Sequence, residues 1–175
     1  EMDLRMEAAA LSEMRENTKD DPGFFVPEPD WNRSARGVLT LDWVDGLPLH
    51  DPAKLREAGH DLPRLAQTLM QSFLRHAIRD GFFHADMHQG NLFVLADGRL
   101  AAIDLGIMGR LGAKEQRFLA EILYCFITRD YRRNADVHFD AGYVPAERSR
   151  EEFAQALRAI GEPILGQQAG DISMA

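Results

Sequence analysis

The stretch "HADMHQGNLFVLADGRLAAIDLG", residues 84 to 106, constrains this chain more than any other. Two short apolar runs, "NLFVL" and "RLAAIDL", flank "ADG", a tight-turn signal, so the segment reads as a hairpin. A hairpin returns the chain to the end from which it left. Asn91, before the first strand, and Asp104, after the second, are therefore expected to be neighbours, with Asp86 at the mouth of the same loop. Gly106 lets the chain turn sharply past Asp104.

Three chemistries compete for these residues. A hairpin between polar loops is common, and Asp and Asn are ordinary turn residues. That reading leaves the order helix, polar loop, hairpin, Asp-x-Gly unexplained. His84-x-Asp86-x-His88 alternates imidazole and carboxylate as zinc or iron ligands do, yet HxDxH alone is a weak signal and no other histidines have paired ligand spacing. The third reading is phosphoryl transfer, in which one carboxylate faces the attacking oxygen while an amide and a second carboxylate hold Mg²⁺ through oxygen. His-x-Asp, an Asn five residues after the Asp, a hairpin and Asp-x-Gly make up the order of kinase-type sites. This reading carries the most.

The surrounding pattern is mostly helical. Residues 1–18 place Leu4, Ala8, Leu11 and Met14 or Arg15 at helical steps, and "KDDPG" ends the helix. "FFVPEPDW" is too rich in Pro for a central strand and suggests an extended edge segment. Val38, Leu39, Leu41, Trp43 and Val44 are expected to make a buried strand that ends at Asp45-Gly46, and Trp31 is expected in the core. Residues 62–80 read as a long helix with Leu65, Leu69, Phe73 and Ala77 on one face, His76 on its surface or half-buried, and Gly81 as its stop. Residues 113–130 predict another, with Phe118, Ile122 and Phe126 on a stripe. Ser149 and Glu152 have capping-box spacing ahead of Phe153, Leu157 and Ile160.

Composition narrows the function. At 45% hydrophobic, the chain can build one cored domain. A net charge of −8 with no compensating basic face argues against a sequence-independent grip on nucleic acid. The single cysteine, Cys125, excludes an intrachain disulfide, and its apolar setting "LAEILYCFI" predicts a buried, inert thiol. No apolar run approaches the roughly 20 residues of a membrane-spanning helix, so this segment is expected to be soluble. The chain opens at Glu1 without an initiator Met, and is read as a piece of a longer protein.

"HADMHQGN" resembles the H-A-D-x-H-P-G-N catalytic loop of the UbiB family of atypical kinase-like proteins, specifically the bacterial ubiquinone-pathway branch of the protein-kinase-like superfamily. "EMDLRMEAAA" is similar to that family's E-x-D element at the start of the helix equivalent to kinase αC, "VLTLDWVDGLPL" to its strand and hinge, and "IDLGIMGRL" to its D-F-G region. The resemblance implies an α+β, protein-kinase-like fold. Residues 1–46 would be a partial N-lobe, and residues 47–175 a mainly helical C-lobe carrying the catalytic-loop hairpin.

It also implies Mg²⁺ and ATP as cofactors. Asp86 would be the catalytic carboxylate, with His84 in the same motif, and Asn91 and Asp104 the metal ligands. Glu7 would pair with the phosphate-binding lysine of the N-lobe, Glu1 and Asp3 would form the E-x-D element, and Trp43 and Val44 would line the adenine site. Read alone, Glu7 is a helix-surface carboxylate, while Glu1 and Asp3 suit the positive end of a helix dipole. The resemblance further implies a role in ubiquinone (coenzyme Q) biosynthesis. Nucleotide, quinone-biosynthesis proteins and lipid precursors would be its partners. The parent would sit on the cytoplasmic side of the bacterial inner membrane through segments outside this chain.

Two alternatives stay open: a nucleotide-sensing scaffold without turnover, and a small-molecule phosphotransferase of the aminoglycoside or choline kinase type. The chain departs from the family pattern at Gln89, where Pro is usual, and at Leu105, where D-F-G has Phe. It has no A-P-E element, and neither a small-residue phosphate loop nor a strand lysine precedes Glu1, so the segment alone is expected to be inactive. To His88 only loop-shaping by hydrogen bonds is assigned.

Overall fold

Asp3 starts the first helix by accepting the Arg5 backbone N–H at 3.1 Å, which satisfies one of the donors a helix leaves free at its N-terminus. In the computed structural model, which describes residues 3–165, this helix, α1, runs over Leu4–Thr18. It buries Ala8, Leu11 and Met14 of the expected stripe, leaves Leu4 half-buried, and continues the stripe to Thr18. The Thr18 hydroxyl donates back to the Met14 carbonyl at 2.8 Å, so burial leaves it no unmet donor.

Four short strands make the main sheet: β1 (Phe24–Phe25), β2 (Gly46–Pro48), β4 (Leu92–Leu95) and β5 (Leu100–Ala102), in the order β1-β5-β4-β2. The β4–β5 hairpin forms around "ADG" as expected, with Leu92 opposite Ala102 and Val94 opposite Leu100. β1 adds in parallel on the outside of β5, which agrees with an edge segment. A second, two-stranded ladder pairs β3 (Phe82–His84) with β6 (Met108–Arg110).

Two expectations fail in the segment between β1 and β2. Residues 38–44 form no strand; they carry only the single bridges Ala35↔Val38 and Pro29↔Leu41. Val38 is 55% exposed and Trp43 91%. The segment lies against "FFVPEPDW", whose prolines have no N–H to extend a ladder, so the apolar residues find no second strand to bury them. The strand that does pair with β4 begins at Gly46. Trp31 is 52% exposed, so it is not core.

Helices α2 (Pro52–Glu57) and α3 (Leu62–Arg75) start on Asp51 and Asp61, whose carboxylates accept the N–H groups of Lys54 and Arg64. α3 runs into a π-helical turn over His76–Asp80, and Gly81, at φ 63°, ends it. The chain divides after Leu111 into two compact units. The first is cored by Leu11, Met14, Phe24, Leu92, Leu100 and Leu105, among others. In the second, α4 (Ala113–Ile127), α5 (Tyr131–Asp140) and α6 (Arg150–Leu165) pack around Tyr131, Ala135, Ala154 and Leu157. Asn134, wholly buried, ties α5 to α4 by donating to the Ile122 carbonyl at 3.2 Å. Ser149 accepts the Glu152 N–H at 3.2 Å, the cap its spacing predicts. Cys125 is buried and free, and burial pushes its thiol above the usual range.

His76 also departs from expectation: it is fully buried. The reason is tertiary. Asp21, just past α1, is itself buried and receives Arg79 at 2.5 Å; the Nε2 of His76 lies 3.3 Å from its other oxygen, and Phe24 meets the imidazole edge-on. Arg79 also donates to the Asn17 carbonyl at 2.9 Å, so one guanidinium fastens the end of α1 to the π-helical turn. Burial lowers the pKa of His76 below its ordinary 6.5, with Asp21 opposing the shift. The unfolded chain therefore takes up this proton at a higher pH than the folded one. Stability is full above about pH 6.5 and falls as the pH drops through that value. The urea midpoint should decline between about pH 7.5 and about pH 5.5, and His76→Gln should flatten the decline. An identical slope in the variant would exclude His76 as its source.

Candidate functional site

Two antiparallel ladders hold the candidate site residues of the first unit in a frame. At one end β3 pairs with β6, with His84 opposite Met108, and the Ala85 N–H continues the pairing to the Ile107 carbonyl at 3.0 Å. At the other, Leu92 pairs with Ala102, and the Ile103 N–H donates to the Asn91 carbonyl at 3.1 Å. Residues 86–91 and 104–106 lie between these clamps. Asp86 and Asn91 stand on one side of the frame, and Asp104 and Gly106 on the other.

Inside the frame each side chain has a definite partner. Asn91 is buried; its Nδ2 donates to the Asp86 carbonyl at 3.4 Å, which leaves Oδ1 as a free acceptor. Asp104 is exposed, and its Oδ1 accepts the Gly106 N–H at 3.0 Å. An amide oxygen and a carboxylate oxygen are the hard donors that Mg²⁺ takes, with waters or phosphates completing its shell. The donor set thus fits the expected metal. Asp86 is exposed at the mouth of the frame.

His84 is buried beneath the loop. Its Nδ1 accepts the Asp86 N–H at 3.2 Å, and its Nε2 has no hydrogen-bond partner. Burial pushes its pKa down, against the pull of Asp104. His88 is committed as well, its Nδ1 accepting the Gly90 N–H at 3.0 Å. Among the described residues no three His, Cys, Asp or Glu side chains converge on one point. The His84-Asp86-His88 run does not assemble a zinc-type site.

Glu7 reaches this frame from α1. Its Oε1 accepts the Leu105 N–H at 3.2 Å, and its side chain lies beside Asp104. Burial raises the pKa of Glu7, and Asp104 adds to the rise. Leu105 is buried in the core and anchors the Asp-Leu-Gly turn in place of the Phe of D-F-G. A largely apolar cavity of about 400 Å³ opens here, lined by Asp3, Met6, Glu7, Phe82, Leu105 and Gly106 among others. Arg110 bridges its rim to Glu13 at 2.5 Å, a pair whose residues the sequence did not single out, because they are 97 positions apart.

The other expected site residues stand as follows. Asp3 lines the same cavity, but its carboxylate is engaged by Arg5 at 2.6 Å, which holds it below the ordinary carboxylate range. Glu1 lies outside the described residues. Trp43 is exposed and Val44 half-buried, and neither lines this cavity. Missing from the expected set is Gly90: a Cβ there would sit 2.8 Å from the His88 ring. Only its place in "HADMHQGN" hinted at that.

The model of the ABC1 atypical kinase-like domain matches residues 1–138. Proteins described as "Probable protein kinase UbiB" from Marinobacter nauticus and Pseudomonas putida are 40% and 41% identical over 99% of this chain. The match covers 32% and 33% of their lengths, so the chain spans about a third of the curated relatives it matches. Among solved structures, Rv3197 from Mycobacterium tuberculosis, determined in complex with erythromycin, is 29% identical with a TM-score of 0.69. The superposition covers 93% of this chain and 41% of that one.

The raised pKa of Glu7 has a consequence for stability. A carboxyl that titrates higher in the folded state costs stability when ionised at neutral pH and none once protonated. Glu7→Gln, which keeps an oxygen for the Leu105 N–H but removes the charge beside Asp104, should raise the melting temperature of this chain at neutral pH. Glu7→Ala should lower it, the orphaned N–H costing about 1–3 kcal/mol of stability. A Gln variant that melts lower than the unmodified chain would contradict the assignment.

Proposed function

Since this chain belongs to the ABC1 atypical kinase-like family, we propose that its 84–106 frame is the catalytic-loop half of an Mg-ATP site, in an atypical kinase or ATPase that supports ubiquinone biosynthesis. The observation that carries this reading is the double clamp: Asn91 and Asp104 are held across from each other by hydrogen bonds on both sides, with Asp86 on the open edge. Residues 1–46 supply the end of the N-lobe and residues 47–175 the C-lobe. Nucleotide is the partner of the site; quinone-pathway proteins and lipid precursors are partners of the whole gene product.

When bound, Mg²⁺ neutralises charge on the transferring phosphate oxygens. The chain's own residues do the rest. Asn91 Oδ1 and the Asp104 carboxylate would hold the ion. Asp86 Oδ1 or Oδ2 receives the proton of an acceptor hydroxyl or water, or orients that group without taking the proton. His84 holds the Asp86 backbone through Nδ1, so the carboxylate is presented from a fixed root. Glu7, bonded to the Leu105 N–H, fixes the backbone next to Asp104. Its charge, placed beside Asp104, suits a cationic partner such as the phosphate-binding lysine. Catalysis by such parts is mainly positioning and charge stabilisation.

The test uses the complete gene product. Mg-ATP at about 100-fold over Kd should stabilise it by about 2.7 kcal/mol, an effect that Asp104→Ala erases. Asp86→Asn should keep that stabilisation and abolish turnover. Stabilisation that survives Asp104→Ala would place the metal elsewhere. Turnover unchanged in Asp86→Asn would remove Asp86 from the chemistry, while binding without any turnover in the unmodified protein would leave a nucleotide-sensing scaffold.

A further inference from the structure

His88 has an arrangement that loop-shaping does not exhaust. Its ring is held on one side by the Gly90 N–H, which donates to Nδ1 at 3.0 Å. With Nδ1 accepting, the proton of the neutral ring is on Nε2. That nitrogen lies 3.8 Å from Asp86 Oδ2, and among the described residues His88 is the only basic side chain paired with this carboxylate. The backbone of residue 88 is tied on both sides: its N–H donates to the Asp86 carbonyl at 2.9 Å, and its carbonyl accepts the Asn91 N–H at 3.1 Å. Gly90 completes the clamp, since a Cβ there would come within 2.8 Å of Cε1 and 3.0 Å of Nδ1. The imidazole, 58% exposed, is thus tied to the loop at Nδ1, with Nε2 on the side of Asp86.

We propose that His88 is a positioning residue for Asp86: its Nε2–H holds Oδ2 and leaves Oδ1 turned to the acceptor. This rests on the Mg-ATP reading above and adds the orientation of its carboxylate. A free carboxylate rotates and offers either oxygen; one held at Oδ2 offers Oδ1 in a single direction, which is what a near-attack geometry needs. The 3.8 Å separation closes to an ordinary N–H···O bond with a shift of about 0.6–0.9 Å, of the kind that tightens once substrate is bound.

The two roles of His88 separate by substitution. In His88→Asn the side-chain oxygen can still accept the N–H two residues on, as Asn does in turns, but the amide is too short to reach Asp86. His88→Ala loses both contacts. In the complete gene product, both variants should lower kcat for ATP turnover about tenfold, with KM for Mg-ATP within about twofold of the unmodified protein. Full kcat in His88→Asn, or a change confined to KM, would overturn the proposal. A second readout does not depend on turnover. Nitrogen-15 spectra of this chain at a pH where the ring is neutral should place the proton on Nε2, and Asp86→Asn should move the Nε2 resonance. A proton on Nδ1, or an Nε2 signal indifferent to Asp86→Asn, overturns it as well. If the complete gene product binds Mg-ATP but turns none over, the catalytic reading of the site fails while the binding reading stands, and these spectra alone decide the His88–Asp86 contact.

Discussion

The first unit depends on two short ladders pinching one loop from both ends. Neither is strong by itself: β3, β5 and β6 have three residues each, and β4 four. Their effect comes from register. Side chains alternate faces along a strand, so a one-residue slip would expose Leu92, Val94 and Leu100, which are almost fully buried. Burial therefore sets the pairing of Leu92 with Ala102, and that pairing sets how far beyond the ladder Asn91 and Asp104 stand. The β3–β6 ladder does the same at the other end. Because Ala85 bonds to Ile107, Asp86 begins one residue beyond a fixed point.

Electrostatics in this unit divide sharply between two acidic places. Asp21 is buried but met by Arg79, with Arg75 and His76 near it, and its pKa falls despite the cost of burial. Glu7 is half-buried and its pKa rises, first through burial and then because its neighbour Asp104 is another carboxylate. The first arrangement is complete within the chain and holds α1 to the π-helical turn. At the second, oxygen donors gather beside a cavity and the one amide that satisfies Glu7 is a backbone N–H. Among the described residues Asp21 is met by side-chain cations, whereas neither Glu7 nor Asp104 forms a salt bridge.

What the sequence revealed follows the range of the forces involved. The hairpin, the α1 stripe, the edge character of the Pro-rich segment and the stop at Gly81 are local, and each was legible from residue type and spacing. The loop "HADMHQGN" and "DLG" were legible because a site built on a hairpin keeps its residues close in sequence. The strand expected at 38–44 failed because burial needs a partner, and the segment opposite has prolines where ladder donors should be. His76 was misjudged for the converse reason: Asp21 and Phe24, far off in sequence, cover it. The β3–β6 ladder went unread because "MGR" carries no strand signal. Gly109 is required there by the Phe83 ring, which a Cβ would approach to 2.3 Å, a fact visible only in three dimensions.

Leu105 joins these strands of argument at one residue. Its side chain is core, packed in the same cluster as Leu11 and Met14 of α1, while its backbone N–H is the hydrogen-bond donor that Glu7 of α1 accepts. Asp104, one position earlier, points the other way and is exposed. The alternation means that α1 grips the turn twice, once through apolar packing and once through a carboxylate, and both grips act on the residue adjoining the candidate metal ligand. A displacement of α1 that broke the Glu7 bond would also strip contacts from Leu105, so the two losses are coupled rather than additive. Placement of Asp104 is therefore tied to α1 by the same two contacts that stabilise the fold, and the site cannot loosen at this corner without the core loosening with it.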